Sequence, residues 1–235
     1  MEANRVKVVE LWRYPVKSFR GERLQSLRFD IGGPEHDRQF MLVDGSPERL
    51  GKRLTATQIP ALLSHAAAAS NSFVIVTTAQ GTILRSDDTD FERRLNELVG
   101  RPLTLREDRT GANHDETDVL VINAASVRAL SEEYGLALGT GRFRGSIVID
   151  GPDAAPYAEE LWPGKRLRAG DVELEAIELN TLCSTTTYEP QTLAHDPAFL
   201  KFAVRRNGAK FGLFCKVVRP GVMCEGDEWH VAGQA

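Results

Sequence analysis

The run LNTLCSTTTYEP, residues 179–190, decides how this chain is read. A strand-like segment, residues 172–179, leads into one cysteine, four consecutive hydroxyl residues, an acid and a proline. Threonine is stiff at χ1 and favours extended backbone. Pro190 stops further pairing and steers Glu189 away from the helical region. Cys183 is therefore expected where a strand opens into a polar loop, close to solvent. A core cysteine more often has apolar neighbours on its own face, yet small buried cysteines are common. A functional thiol and a structural one both stay open on the pattern alone. The hydroxyls can hold an anion or simply satisfy the loop backbone.

The 235 residues are enough for one large domain or two small ones with a substantial core. Hydrophobic residues make up 42% and charged residues 26%, the balance of a soluble globular protein, with a net charge of −4. No basic stripe offsets that acidity, which argues against nucleic acid as the main partner. The N-terminus has no signal-peptide pattern, and no segment approaches the roughly 20 apolar residues of a membrane span. A cytoplasmic protein with no membrane partner is expected. Three cysteines make a disulfide framework a poor reading. They also cannot supply the four thiolates of an iron–sulfur cluster, so any redox chemistry must draw electrons from another protein. Cys215, inside the apolar run 211–218, reads as core; Cys224, after a Gly-Val-Met turn, fits either environment.

Alternation and composition predict strands over residues 6–11, 24–29, 103–106, 119–122, 172–179 and 211–218, with a last strand near Trp229. Residues 73–77 and 82–84 flank Ala79-Gln80-Gly81 and predict a hairpin. Three helices are expected. The first covers residues 87–99 with acids at its start; the second, residues 124–134, is capped by Asn123 and stopped by Gly135. The third begins at Asp196-Pro197 and closes at Asn207-Gly208. The polar stretch 107–118 is the candidate linker, dividing the chain into residues 1–110 and 111–235. His114-Asp115-Glu116 has metal-ligand residue types, but consecutive residues rarely converge on one ion, so it reads as a solvated loop. The expected fold is α+β, mainly antiparallel β-barrel with a β-rich N-terminal half and about three helices.

Four motifs carry a resemblance. CSTTTYEP (183–190) resembles Arg-Cys-x-x-Thr-Thr-x-Asp-Pro of MOSC domains, and YPVKSFRG (14–21) resembles Tyr-Pro-Val-Lys-Ser-x-x-Gly. DRQFMLVD (37–44) is similar to Asp-Arg-x-(Trp or Phe)-Met-Leu-Val-Asp, and RFRGSIV (142–148) to Arg-Phe-Arg-Pro-Asn-Ile-Val. The pattern is that of two-part MOSC proteins, the group that includes the mitochondrial amidoxime-reducing component and bacterial relatives. The resemblance implies a molybdenum cofactor, with Cys183 as thiolate ligand of the metal and the catalytic centre. It implies that Lys17 and Ser18 contact the pterin and its phosphate, that Arg38 is aimed at the site, and that Arg144 and Ser146 lie at the cofactor. Thr185 and Thr186 would add hydroxyls. Taken alone, Arg38 reads as an ion pair with Asp37 or Asp44, and Lys17 with Arg20 as a solvated basic loop.

The implied activity is reduction of small N-hydroxylated molecules, with electrons from a separate flavin or iron–sulfur protein. The family is also associated with pyridoxal phosphate; no lysine is singled out for it. Four departures stand out: Leu182 replaces the usual arginine, Glu189 the aspartate, Gly145-Ser146 the Pro-Asn pair, and no glycine follows Pro190 within 191–193. With Leu182 present, Arg144 or Arg38 would be the cation that favours the thiolate. A second reading is a non-enzymatic carrier of the cofactor, or of sulfur as a persulfide on Cys183. A third is a β-rich binding module that keeps the cysteine incidentally.

Overall fold

The alternation at residues 6–11 forms the strand Lys7–Arg13, which the computed structural model places well inside the second half of the chain. The structure describes residues 5–70, 72–108 and 119–232. Lys7–Arg13 runs antiparallel to Ile147–Asp150 on one side and to Glu22–Leu24 on the other. The eight-stranded sheet that contains it has the order His230–Val231, Arg166–Ala169, Val172–Thr181, Lys210–Arg219, Val119–Asn123, Ile147–Asp150, Lys7–Arg13, Glu22–Leu24. Val119–Asn123 and Ile147–Asp150 are parallel, so they need a crossover, and the helix Ala124–Tyr134 lies between them in the chain. Register shifts along the ten-residue pair Val172–Thr181 and Lys210–Arg219 mark bulges, which bend a sheet, and this one curls into a half-barrel.

Three small antiparallel sheets complete the strands. Leu103–Glu107, Phe40–Asp44 and Arg53–Leu54 form one; Ala66–Ala69, Val74–Thr77 and Ile83–Arg85 form another. The third joins Ser26–Asp30 to Gly221–Cys224 and Gly33–Pro34, so residues near both termini share a sheet. The α+β fold, the hairpin and the three helices agree with the sequence reading. Differences lie at the ends of elements. The single strand expected over 24–29 is broken at Gln25. The first helix, α1, spans Phe91–Val99 and starts later than expected, because Asp87 pairs with Arg85 and Asp90 makes no capping bond. The second, α2 (Ala124–Tyr134), is capped by Asn123 Oδ1, which accepts from Ala125 N at 3.0 Å. The third, α3 (Pro197–Asn207), is capped by Asp196 and closed by Gly208 in the left-handed region at φ 73°. Most of the expected linker, residues 109–118, and with it His114-Asp115-Glu116, lies outside the described residues.

Apolar side chains gather in three cores. One fills the curl of the large sheet around Leu11, Val121, Ile147, Leu213 and Trp229, with Cys215 fully buried in it. Burial pushes the Cys215 thiol up, out of the reactive range. A second core joins the small N-terminal sheets to α1 through Leu42, Val76 and Leu95. The third lies under α2 and α3 and includes Phe143, Leu182, Phe199 and Phe211.

One connection ties the first core to the second. Residues 14–21 link two adjacent strands of the large sheet, but they reach out and insert Val16 and Phe19, both fully buried, into the N-terminal core. Val16 bridges Phe40, Arg20 bridges Ala66, and Lys17 N donates to Phe40 O at 2.8 Å. The chain returns to the sheet at Gly21, where a Cβ would stand 2.3 Å from Arg13 O and 2.7 Å from Tyr14 Cδ1. Gly21→Ala should therefore destabilise the protein by about 1–3 kcal/mol in denaturant unfolding. Gly32→Ala, where a Cβ would meet nothing within 4 Å, should be close to neutral.

A buried carboxylate joins α2 to the 3-10 turn Ala158–Leu161. Glu159 is 2% exposed, and its Oε2 accepts from Asn123 Nδ2 at 2.9 Å and from Ser126 Oγ at 2.8 Å. Desolvation raises its pKa above 4.5, against the opposing effect of those hydrogen bonds. The folded state thus holds this proton more tightly than the unfolded chain, and the stability it contributes is lost as pH rises from about the unfolded carboxylate value through the raised native one. Glu159→Gln keeps an acceptor for both donors. It should be more stable than the parent at neutral pH, with the advantage shrinking in unfolding titrations carried toward pH 4.5.

Candidate functional site

Strand alternation places the cysteine. Leu182 continues the strand Val172–Thr181, its N–H donating to Ala209 O at 2.9 Å, and its side chain turns into the core with Phe199 and Phe211. Cys183 follows in extended backbone (φ −115°, ψ 179°) and so faces the other way, exposed. The polar loop expected after it takes the form of a 3-10 turn, Ser184–Thr187. Local hydroxyl bonds outcompete the threonine preference: Thr186 Oγ1 donates to Cys183 O at 2.7 Å and Thr187 Oγ1 to Ser184 O at 2.6 Å. Thr185 Oγ1 lies 2.9 Å from Cys183 Sγ, within hydrogen-bond reach.

Cys183 opens onto a cleft of ≈ 460 Å³ between the N-terminal small sheets and the large sheet. Lys17, Ser18, Arg38, Arg144, Cys183 and Thr185 all line it, brought together from positions far apart in the chain. Lys17 and Ser18 are the two residues of the 14–21 connection that lie between the inserted Val16 and Phe19. Ser18 takes a left-handed conformation at φ 74°, and its Oγ accepts from Ala56 N at 2.9 Å. Thr186 lines a smaller recess of ≈ 150 Å³ beside the thiol, together with Arg142, Leu182 and Phe214. Ser146 is not brought to the cleft. Its N–H donates to Leu120 O and its carbonyl accepts from Trp12 N, and this pairing leaves its hydroxyl fully buried with no hydrogen-bond partner.

Two arginines are held on one aromatic ring. Tyr14 is buried, with Arg144 Cζ 4.5 Å and Arg38 Cζ 5.7 Å from its centroid. Asp37, its side chain fully buried, accepts from Tyr14 N at 2.6 Å and pairs with Arg38 Nη1. The ion pair that the sequence allowed for Arg38 is thus present, and the arginine lines the cleft as well. Arg144 Nη1 donates to Phe19 O at 2.7 Å, which clamps the inserted connection to the large sheet. Desolvation pulls the Arg144 guanidinium below its ordinary value, while Tyr14 acts the other way. Burial also pushes the Tyr14 phenol up.

Sequence reasoning missed several lining residues. Arg53, Thr55 and Thr57 line the cleft, with Leu54 and Ala56 between them buried and Ala56 also reaching its wall, a period-two pattern legible in Arg-Leu-Thr-Ala-Thr. Asn180 and Thr181, just before the cysteine, also line it. The cleft therefore presents four cationic side chains, those of Lys17, Arg38, Arg53 and Arg144, and no carboxylate among its lining residues. An anion of some size, anchored at one end by a thiolate, is the occupant such a lining suits.

The family description "MOSC domain" matches residues 107–230, and "MOSC N-terminal beta barrel domain" matches residues 5–126. The chain is 26% identical to the molybdenum cofactor sulfurase of Caenorhabditis elegans over 89% of its length, and 28% identical to the human mitochondrial amidoxime-reducing component 1 over 52%. It spans only 33% and 39% of those two proteins. The crystal structure of the YuaD protein from Bacillus subtilis superposes with a TM-score of 0.53 at 18% identity, covering 96% of this chain and 94% of that one. That likeness is one of fold.

Leu182, at the position of the arginine in the motif that this stretch resembles, is packed at 6% exposure in the third core. Leu182→Arg should therefore not improve the site. It should cost on the order of 3 kcal/mol or more in unfolding free energy, because the new charge has no buried partner.

Proposed function

The chain belongs to the MOSC family, and from that premise we propose that its cleft holds a molybdenum cofactor and that the protein reduces small N-hydroxylated molecules. The observation that carries the reading is the exposed thiol of Cys183 at a cleft ringed by four cations and no carboxylate. A pterin cofactor brings a phosphate and a dithiolene-held metal in one ligand, and those are the two things this lining fits. Lys17, Arg53 and the hydroxyl of Ser18 suit the phosphate. Cys183 suits the metal, since a thiolate matches a soft centre. Among the described residues no three His, Cys, Asp or Glu side chains come together, and Cys183 would be the residue of this chain that holds the metal. The bound group would supply two-electron oxygen-atom chemistry.

The chain's own residues do the placing. Tyr14 and Asp37 hold Arg38 and Arg144 against the cleft wall. Thr185 stands beside the sulfur and can hydrogen-bond a thiolate. The hydroxyls of Thr186 and Thr187 are occupied by the backbone, so they fix the loop that presents the cysteine. Electrons would come from a separate flavin or iron–sulfur protein, because three cysteines, one of them buried, do not make a cluster. The alternative of a persulfide carrier on Cys183 also uses an exposed thiol, but it leaves four converging cations without a purpose.

Metal and pterin analysis tests the site. Protein expressed with molybdate should carry close to one molybdenum per chain; Cys183→Ser should lose most of the metal, and Arg144→Ala should lower occupancy of both metal and pterin. Loaded protein supplied with a reductant should reduce benzamidoxime to benzamidine. Metal loading without that reaction would favour a carrier, and absence of both metal and pterin would refute the cofactor site.

A further inference from the structure

A second cavity, of ≈ 450 Å³, shares Arg144 with the cleft but contains neither Cys183, Lys17 nor Ser18. That volume is within the range of small-molecule sites. Its wall is aromatic: Trp12 and Tyr14 stack at 6.5 Å with 21° between their planes. The indole is fixed in place, Nε1 donating to Glu10 Oε2 at 2.7 Å, and Thr140 Oγ1 donates to the same carboxylate oxygen at 3.3 Å. Glu10 is thus engaged by the wall itself. Glu189, the other acid lining the cavity, accepts from Gln191 N and Thr192 N at 2.8 and 2.6 Å.

The cations of this cavity are not matched in the same way. Arg142 is 6% exposed, yet its one hydrogen bond is Nη1 to Thr186 O at 2.8 Å, and its Nε is buried with no partner. It makes no ion pair among the described residues. Two carboxylates act on it through space, Glu189 more than Asp196, and both are otherwise engaged: Glu189 by the backbone N–H groups of Gln191 and Thr192, Asp196 by Tyr134 Oη at 2.6 Å and Ala198 N at 3.1 Å. Arg20 lines the same cavity, and among the described residues its guanidinium has neither hydrogen bond nor ion pair. A buried guanidinium whose contacts are one neutral carbonyl and the Phe199 ring, 5.6 Å from Cζ, is costly to keep, and its fork geometry suits a carboxylate.

We propose that this second cavity is a binding site for a small aromatic carboxylate, its ring stacked on Trp12 and its carboxylate paired with Arg142, with Arg20 beside it. The site is separate from the cofactor cleft but not isolated from it. Arg144 lines both, and it stands between the two cavities as a shared wall.

Calorimetric titration of the full chain with benzoate and phenylacetate tests this, in metal-free and molybdenum-loaded protein. Both carboxylates should bind saturably, and equally in the two forms. Acetate, which lacks the ring, and benzyl alcohol, which lacks the charge, should each bind about tenfold or more weakly than benzoate. Arg142→Gln and Arg20→Gln should each weaken benzoate by about tenfold or more, while Cys183→Ser leaves it unchanged. Arg20→Gln decides the matter if Arg142→Gln fails to fold. The proposal is overturned if neither carboxylate binds, if acetate binds as tightly as benzoate, or if the folded arginine variants bind as the parent does. Loss of benzoate in Cys183→Ser, or its exclusion by molybdenum loading, overturns it as well, by placing the ligand in the cofactor's own footprint. The metal-free titration stands even if the protein never loads molybdenum, so the two readings fail separately.

Discussion

Everything at the cleft depends on the insertion of one loop of the large sheet into a neighbouring core. Two adjacent strands, Lys7–Arg13 and Glu22–Leu24, could be joined by a short hairpin. The chain instead spends residues 14–21 reaching across to bury Val16 and Phe19 among the N-terminal strands. Burying two such side chains stabilises the docking by several kcal/mol, on the order of 1.5–3 each. It also leaves the two residues between them, Lys17 and Ser18, at the seam. The close passage at Gly21 lets the chain return. A functional pair is thus positioned by the same contacts that join the two cores.

The seam would otherwise be an unfavourable place for charge. Like charges at Arg38 and Arg144 repel, and partial burial strips them of water. Three compensations keep them there: the shared face of Tyr14, the buried carboxylate of Asp37, and the Phe19 carbonyl. Asp37 neutralises one unit without entering the cleft lining, so the surface offered to a ligand stays cationic. That arrangement is pre-organised for an anion, because the cost of gathering the cations is met by folding and not by binding.

The departures from the usual MOSC motifs also have local physical reasons. Leu182 fills the third core, and Arg142 lines the recess beside the thiol from a neighbouring segment. At Gly145 a Cβ would come within 2.5 Å of Ile122 Cγ1, so the close packing of that side chain leaves room only for glycine. Ser146 is small enough to be enclosed by the strand pairing on either side of it. Each change is accommodated by its own neighbours, and the cleft itself keeps its thiol and its four cations.

Much of this was legible in the residues. Period-two runs and cap residues located the helices and most strands, because those signals are local: Asn123, Gly135 and Gly208 act on backbone groups a few positions away. The motifs singled out Lys17, Ser18, Arg38, Arg144 and Cys183, and the fold brings those five to one cleft. Tertiary structure alone decided which of those residues meet. Ser146 shares a motif with Arg144 yet is buried, because Arg144 ends a 3-10 turn in the left-handed region at φ 57°, whereas Ser146 is paired on one side with Leu120 and on the other with Trp12. The alternation around Arg53 is local and legible, but its place beside Cys183 and the second cavity are not. A ring of cations, or a buried arginine without an ion pair among the described residues, is a property of distances between segments, and one-dimensional order does not contain those distances until the sheet has curled.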